Sequence, residues 1–144
     1  MTDYKKFTIL YVDDEAENLD SFKLLFLNNY HVITTESGQK GLEIIENQRN
    51  SDQPVGLVLS DQRMPKMNGI EFLERIKSID PDIIKILITG YSDIDVIADA
   101  LNKVGIFHYI NKPYETTNIT NIINKGIETF NLRQENRKLI DELR

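Results

Sequence analysis

The chain of 144 residues contains no cysteine, which excludes disulfide bonds and metal sites built from thiolates. Its formal net charge is −6, and this acidic balance argues against nucleic acid or a membrane surface as a direct partner, because both attract basic surfaces. The apolar runs are broken by Lys85 or by glycine and fall far short of a membrane span. Residues 1–6 lack the apolar segment of a signal peptide. These absences favour one globular domain in a reducing, cytoplasmic compartment.

Short apolar runs alternate with amphipathic segments, which is typical of βαβ units around a parallel sheet. The pattern predicts strands near residues 8–12, 31–35, 55–59, 84–89 and 107–110. It predicts helices near residues 16–28, 38–48, 70–78, 92–104 and from 116 onward. Right-handed crossovers at this chain length favour the strand order 2-1-3-4-5. We therefore expect an α/β fold with a doubly wound, flavodoxin-like sheet of five parallel strands.

The first and fourth predicted helices have recognisable apolar faces. The first should bury four side chains, namely Leu19, Phe22, Leu25 and Phe26. In the fourth, Ser92 and Asp95 resemble a capping box, and an apolar stripe with helical spacing ends at Leu101. Both helices are therefore expected to pack against the sheet.

The last predicted helix begins near Thr116 and changes character after Phe130. Its first part has an inner apolar stripe, which comprises Ile119, Ile122, Ile123, Ile127 and Phe130. Residues 131–144 are highly charged, and four of them repeat with the 4-3-4 spacing of a coiled-coil seam: Leu132, Asn136, Leu139 and Leu143. We therefore assign residues 1–130 to the domain and residues 131–144 to a protruding helix. A seam of under two heptads leaves two alternatives open, a homodimer contact and a solvated linker to an output domain.

Polar residues follow four of the predicted strands. Asp13 and Asp14 follow the first, Asp61 the third, Thr89 ends the fourth, and Lys112 follows the fifth. Ligands bind at this edge of an open α/β sheet. Three clustered carboxylates repel one another, and a hard divalent cation such as Mg²⁺ would relieve that repulsion. A carboxylate can also attack phosphorus to form an aspartyl-phosphate, with the metal, a lysine and a hydroxyl stabilising the phosphoryl oxygens.

Four short motifs stand at these strand ends, in the order of the strands along the chain. They are Val12-Asp13-Asp14-Glu15, Ser60-Asp61-Gln62-Arg63-Met64-Pro65 with Asn68-Gly69, Ile88-Thr89-Gly90-Tyr91, and Tyr109-Ile110-Asn111-Lys112-Pro113. With these motifs, residues 7–130 resemble the receiver (CheY-like) domain of two-component response regulators. The resemblance implies a signalling switch that takes its phosphoryl group from a histidine kinase or a phosphotransfer protein. Such a module assists its own phosphorylation and dephosphorylation but is not an enzyme with a separate substrate.

The resemblance also implies roles for single residues. Asp61 would be the phosphoryl acceptor and a ligand of Mg²⁺. Asp14 would bind the metal directly, Asp13 directly or through water, and the backbone carbonyl of Arg63 would be a further ligand.

A second group of residues would respond to the phosphoryl group. Lys112 would pair with it, and the bond from Lys112 to Pro113 would be cis, a state almost confined to X-Pro bonds. Thr89 would bind a phosphoryl oxygen, and Tyr109 would change its rotamer and thereby the face formed by the fourth helix, fifth strand and fifth helix. Gly90 would leave an opening for the phosphoryl donor, while Arg63 and Tyr91 would affect the lifetime of the phosphate.

Two other functions compete with this interpretation. One is a binding module of the same fold that acts through protein contacts without phosphorylation, which the complete set of acids disfavours. The other is a phosphatase with an aspartyl nucleophile, similar to haloacid dehalogenases. Those enzymes carry a second acid two residues after the nucleophile, and Arg63 stands there in this chain. A nucleotide-binding site is weaker still, because no glycine-rich loop follows the first strand.

Overall fold

The computed structural model describes residues 2–90, 98 and 101–144. Five parallel strands form one sheet in the order β2-β1-β3-β4-β5. The strands are β1 (Thr8–Val12), β2 (His31–Thr35), β3 (Val55–Asp61), β4 (Ile84–Thr89) and β5 (His108–Asn111). This order confirms the predicted doubly wound, flavodoxin-like sheet. Because β3 extends two residues further than expected, Asp61 is its last residue and not the first residue of the following loop.

Helices connect the strands and extend the chain beyond the sheet. They are α1 (Ala16–Phe26), α2 (Gly38–Gln48), α3 (Gly69–Ile79), α4, which is described at residues 98 and 101–104, and α5 (Thr116–Glu142). The predicted capping pair Ser92 and Asp95, together with Tyr91, lies outside the described residues.

Two helix starts are fixed by side-chain caps. The Ser37 side chain accepts a hydrogen bond from the Lys40 amide at the start of α2. At α3, Asn68 and Glu71 form a reciprocal capping box, which satisfies two amide groups that a helix N-terminus leaves unpaired. The second cap matters for the site, since it fixes where the loop after β3 ends.

The core lies on both faces of the three central strands. Every residue of β1, β3 and β4 is buried, which explains why these strands are nearly continuous apolar runs in the sequence. Helices α2 and α3 contact each other. Tyr30, after α1, donates to Asn124 of α5. The helices thus form one layer on each side of the sheet.

The expectation for α1 is wrong in one position. Phe22 and Phe26 are buried, Leu19 is half-buried, but Leu25 is 48% exposed. A helix turns about 100° per residue, and packing selects a face centred on Phe22 and Phe26. Leu25 lies about 100° away from Phe26 and therefore faces outward.

Helix α5 is continuous over 27 residues, a length of about 40 Å. Its predicted inner stripe from Ile119 to Phe130 is buried, whereas Leu132, Leu139 and Leu143 are exposed. The charged segment still contacts the domain, because Arg137 pairs with Asp80 and Asp82 in the loop after α3. Arg133 also donates to the Asp82 carbonyl oxygen at 3.1 Å. Among the described helices, none is long and apolar enough to cross a membrane.

Candidate functional site

Three carboxylates meet at the carboxyl ends of β1 and β3. Asp61 ends β3, and Asp13 and Asp14 follow β1 on the neighbouring strand. One oxygen from each carboxylate lies within 4.8 Å of the other two. Asp13 is fully buried and Asp61 is 8% exposed, while Asp14 is open to solvent. The predicted convergence of these residues is therefore present in the structure.

Asp13 is held by hydrogen bonds from three directions. The Glu15 amide donates to Oδ1 at 3.0 Å. The Tyr11 hydroxyl and the Asn18 side-chain amide donate to Oδ2 at 2.9 and 3.0 Å. Burial, followed by the charge of Asp13, raises the pKa of the Tyr11 hydroxyl far above its ordinary value, so this group stays protonated and remains a donor. Sequence reasoning missed both Tyr11 and Asn18.

Lys112 supplies the positive charge of the site. Its ammonium nitrogen lies 2.7 Å from Asp61 Oδ1 and 3.7 Å from Asp13 Oδ2. Its backbone N–H donates to the Thr89 carbonyl oxygen at 2.8 Å, and the bond from Lys112 to Pro113 is cis. The pairing of β4 with β5 thus continues to Lys112 and holds its ammonium beside Asp61 and Asp13.

The ionisation of Asp61 reflects its burial. Burial raises the pKa of the Asp61 carboxyl, Lys112 lowers it, and Asp13 and Asp14 raise it again, with a net shift upward. Burial alone would lower the pKa of the Lys112 ammonium, but Asp61 and Asp13 raise it above its ordinary value. The ammonium therefore stays charged, and its charge offsets part of the cost of burying the Asp61 carboxyl.

This donor set fits a hard divalent cation. The three converging ligands are all carboxylate oxygens, one of which belongs to the solvent-exposed Asp14. Cations of this class prefer such oxygens and retain water in their remaining positions. Arg63, whose carbonyl is the further expected ligand, follows in the loop between β3 and α3 with an exposed side chain. The cluster could therefore hold a metal ion that offsets the repulsion among its acids.

The loop after Asp61 is fixed by Gln62, which sequence reasoning did not single out. Its backbone N–H donates to the Ile88 carbonyl oxygen at 3.0 Å, and its own carbonyl accepts from the Gly69 amide at 3.0 Å. Its side-chain oxygen accepts from the Ile70 amide at 2.9 Å. A Cβ on Gly69 would lie 2.5 Å from the Asp61 carbonyl oxygen. Glycine at the first position of α3 is thus required for the close approach of this helix to the site.

Thr89 and Tyr109 occupy different environments. Thr89 is 1% exposed and its hydroxyl donates to the Gly90 carbonyl oxygen at 3.0 Å. Tyr109 is 37% exposed and stands opposite Leu87 in the pairing of β4 with β5. The structure places Thr89 at the carboxyl edge of the sheet and the Tyr109 side chain toward solvent.

Comparison with known proteins agrees with the fold. The family model described as response regulator receiver domain matches residues 9–124. The chain therefore belongs to the receiver domain family of response regulators, which confirms the resemblance seen in its motifs. Receiver domains are signalling modules and not classical enzymes.

Individual relatives show how much of a longer protein this chain resembles. It is 32% identical over 140 residues to the hydrogenase transcriptional regulatory protein HoxA of Cupriavidus necator, covering 97% of this chain and 28% of HoxA. It is 33% identical over 129 residues to the transcriptional regulatory protein FixJ of Rhizobium meliloti, covering 89% of this chain and 59% of FixJ. A solved receiver domain protein from Clostridium thermocellum superposes with a TM-score of 0.79 at 33% identity, covering 88% of this chain and 98% of that one. The chain thus spans less than two thirds of HoxA and of FixJ, but nearly the whole of the solved receiver domain protein.

Proposed function

We propose that this chain is a phosphorylation-controlled switch in which Asp61 accepts a phosphoryl group in a reaction that depends on Mg²⁺. The observation that carries the proposal is the position of Asp61, buried at a strand end within 4.8 Å of two further acids and 2.7 Å from Lys112. The donor would be a phosphohistidine of a kinase or phosphotransfer protein. A carboxylate oxygen of Asp61 forms a bond to phosphorus while the bond from phosphorus to the imidazole nitrogen breaks, and the electron pair leaves with the imidazole.

The contacts within the cluster suggest a separate role for each residue toward the metal and the phosphoryl group. Both oxygens of Asp13 already accept hydrogen bonds from the chain, which favours contact with the metal through water. Asp14, Asp61 and the Arg63 carbonyl are then the direct ligands. A bound Mg²⁺ would neutralise charge that develops on the phosphoryl oxygens. Lys112, whose ammonium nitrogen lies 2.7 Å from Asp61 Oδ1, would pair with one of those oxygens.

The response to phosphorylation would pass through β4 and β5. A phosphoryl group adds about −1.5 to −2 charge and three acceptor oxygens, and the Thr89 hydroxyl would turn from Gly90 to one of these. Tyr109 would then move inward from its exposed position and alter the face formed by α4, β5 and α5. In this proposal residues 1–130 are the receiver, and residues 131–144 carry the change toward a partner copy or an output domain.

The decisive experiment is phosphorylation by a small-molecule donor. Incubation with acetyl phosphate and Mg²⁺, followed by intact-mass measurement, should add the mass of one phosphoryl group. Asp61→Asn should abolish the addition, and chelation of Mg²⁺ should suppress it. Asp52→Asn is a matched control, because Asp52 is an exposed loop acid and should leave labelling unchanged.

The same experiment separates the alternatives. Labelling of Asp61→Asn at the wild-type level would refute Asp61 as the acceptor. An unmodified wild-type protein would instead support a binding module that works without phosphorylation. Sustained turnover of unrelated phosphate esters by the wild type would support a phosphatase, which the exposed Arg63 at the position of a general acid disfavours.

A further inference from the structure

Asn111, the last residue of β5, carries a buried acceptor with no partner. Its side-chain oxygen Oδ1 is shielded from solvent and, within the part of the chain that the structure describes, accepts no hydrogen bond. An unpaired acceptor in the protein interior is costly and rare. A donor that reaches this oxygen in another state of the protein would explain why asparagine stands here.

The register of the sheet identifies the side chains that share a face with Asn111. Asn111 pairs with Thr89, and Tyr109 pairs with Leu87. Alternate residues of a strand face the same side, so these four side chains lie together on one face. Leu87 has no donor, and the Thr89 hydroxyl is engaged by the Gly90 carbonyl oxygen at 3.0 Å. Among these four residues, the Tyr109 hydroxyl is the donor that remains.

The surroundings of Tyr109 leave its ring room to move. The side chain is 37% exposed. A groove of about 580 Å³ is lined by both Tyr109 and Asn111, together with the start of α5. A second groove of about 320 Å³ lies on the other side of Tyr109, toward α4. The ring therefore borders open volume both on the side of Asn111 and on the side of α4.

We propose that the Tyr109 hydroxyl donates a hydrogen bond to Asn111 Oδ1 in the phosphorylated state, which makes Asn111 a positioning residue of the switch. The inference rests on the proposed function, in which Thr89 turns toward the phosphoryl group and vacates the space beside Asn111. The unphosphorylated protein bears the unpaired acceptor, and the phosphorylated protein satisfies it. A contact made in only one of two states shifts the equilibrium toward that state, and by linkage it tightens binding of whatever stabilises it.

A double-mutant cycle tests this coupling. The measurement is the affinity of the full chain for beryllofluoride, a stable phosphoryl mimic, in the presence of Mg²⁺. Tyr109→Phe removes the donor and should weaken binding roughly fivefold, the equivalent of one hydrogen bond. Asn111→Leu removes the acceptor at nearly constant shape and should weaken binding to a similar extent. The double variant should bind no more weakly than either single variant, because both remove the same contact.

Controls separate this bond from general damage. Asn118→Leu changes an exposed asparagine on the rim of the same groove and should leave mimic affinity unchanged. Without the mimic, Asn111→Leu should melt at or above the wild-type temperature, since it removes an unpaired buried acceptor. A lower melting temperature in both Asn111→Leu and Asn111→Val would show that the resting protein already uses this oxygen, and would overturn the proposal.

The outcomes also distinguish this inference from the function on which it rests. Two results would refute the role of Asn111 while leaving the proposed function intact, provided that the wild type binds the mimic. In the first, the losses of affinity in the two single variants multiply in the double variant. In the second, Asn111→Leu binds the mimic as tightly as the wild type does. If the wild type does not bind the mimic at all, the proposed function fails, and the role of Asn111 fails with it.

Discussion

The hydroxyl of Tyr11 offers a direct test of how the acidic cluster is held in the fold. It donates to Asp13 Oδ2 at 2.9 Å inside the protein, where Asp13 is fully buried. Its ring stacks on Phe22 with centroids 4.3 Å apart. Tyr11→Phe removes one oxygen atom and keeps the ring, so the variant isolates a single hydrogen bond to a buried carboxylate.

The expected loss follows from the type of bond. A hydrogen bond to a charged group contributes about 1.5–3 kcal/mol. Asn18 and the Glu15 amide still donate to Asp13 in the variant, so we expect the lower part of this range, about 1.5–2 kcal/mol. For a chain of this size each kcal/mol lowers the melting temperature by about 2–4 °C. Tyr11→Phe should therefore melt roughly 3–8 °C below the wild type.

Scanning calorimetry and urea unfolding in metal-free buffer provide the measurement. Tyr30→Phe is the matched control, because the Tyr30 hydroxyl also bonds a side chain but donates to the neutral Asn124. A neutral hydrogen bond contributes about 1 kcal/mol, so the control should lose less. The reasoning is refuted if Tyr11→Phe unfolds with the wild type, or if Tyr30→Phe is the more damaging of the two.

Three further predictions concern the metal site and the helix. Asp61→Asn should raise the free energy of unfolding near neutral pH without metal, because burial and the two neighbouring carboxylates raise the pKa of Asp61. A carboxyl whose pKa is raised in the folded state contributes its stability below the unfolded pKa and loses it as the pH rises through the folded pKa. Urea unfolding curves at several pH values provide the measurement. If Asp61→Asn kept a higher free energy of unfolding than the wild type in acid, this reasoning would be contradicted. Gly69→Ala should lower the free energy of unfolding by about 1–3 kcal/mol, because the added Cβ would lie 2.5 Å from the Asp61 carbonyl oxygen. Gly90→Ala is the control and should lower it less, because its Cβ would meet no described atom within 4 Å. Thermal unfolding provides the measurement. If the exposed seam pairs two copies, the wild type should sediment as a dimer and the double variant Leu139→Ser, Leu143→Ser as a monomer; a monomeric wild type at high concentration would leave the helix as a connector only.

The positions of the strands and of the acids could be predicted because two simple rules coincide. Strands buried on both faces are continuous apolar runs, and the residues that end them share one edge of the sheet. Asp13, Asp61 and Lys112 all follow from these rules. Their meeting required no knowledge of side-chain packing, only the strand order.

Other features depend on packing that a linear pattern does not contain. Tyr11 lies within a buried apolar run, so nothing in the sequence distinguishes a hydroxyl that bonds Asp13 from an ordinary core ring. The exposure of Leu25 follows from the rotation of α1 that Phe22 and Phe26 select together. Arg137 meets Asp80 and Asp82 across more than fifty residues of chain, and a charged surface segment gives no sign of such a contact.

Helix α5 joins the buried core and the exposed C-terminal segment in one continuous helix. Its inner stripe fixes it at Phe130, and Arg137 pins it about two turns later to the loop that ends α3. Because α3 begins after the loop that follows Asp61, the charged end of α5 contacts the C-terminal end of the same helix whose N-terminal end lies beside the acids. A tilt of α3 would therefore displace the C-terminal end of α5, and the residues beyond Arg137 would move furthest.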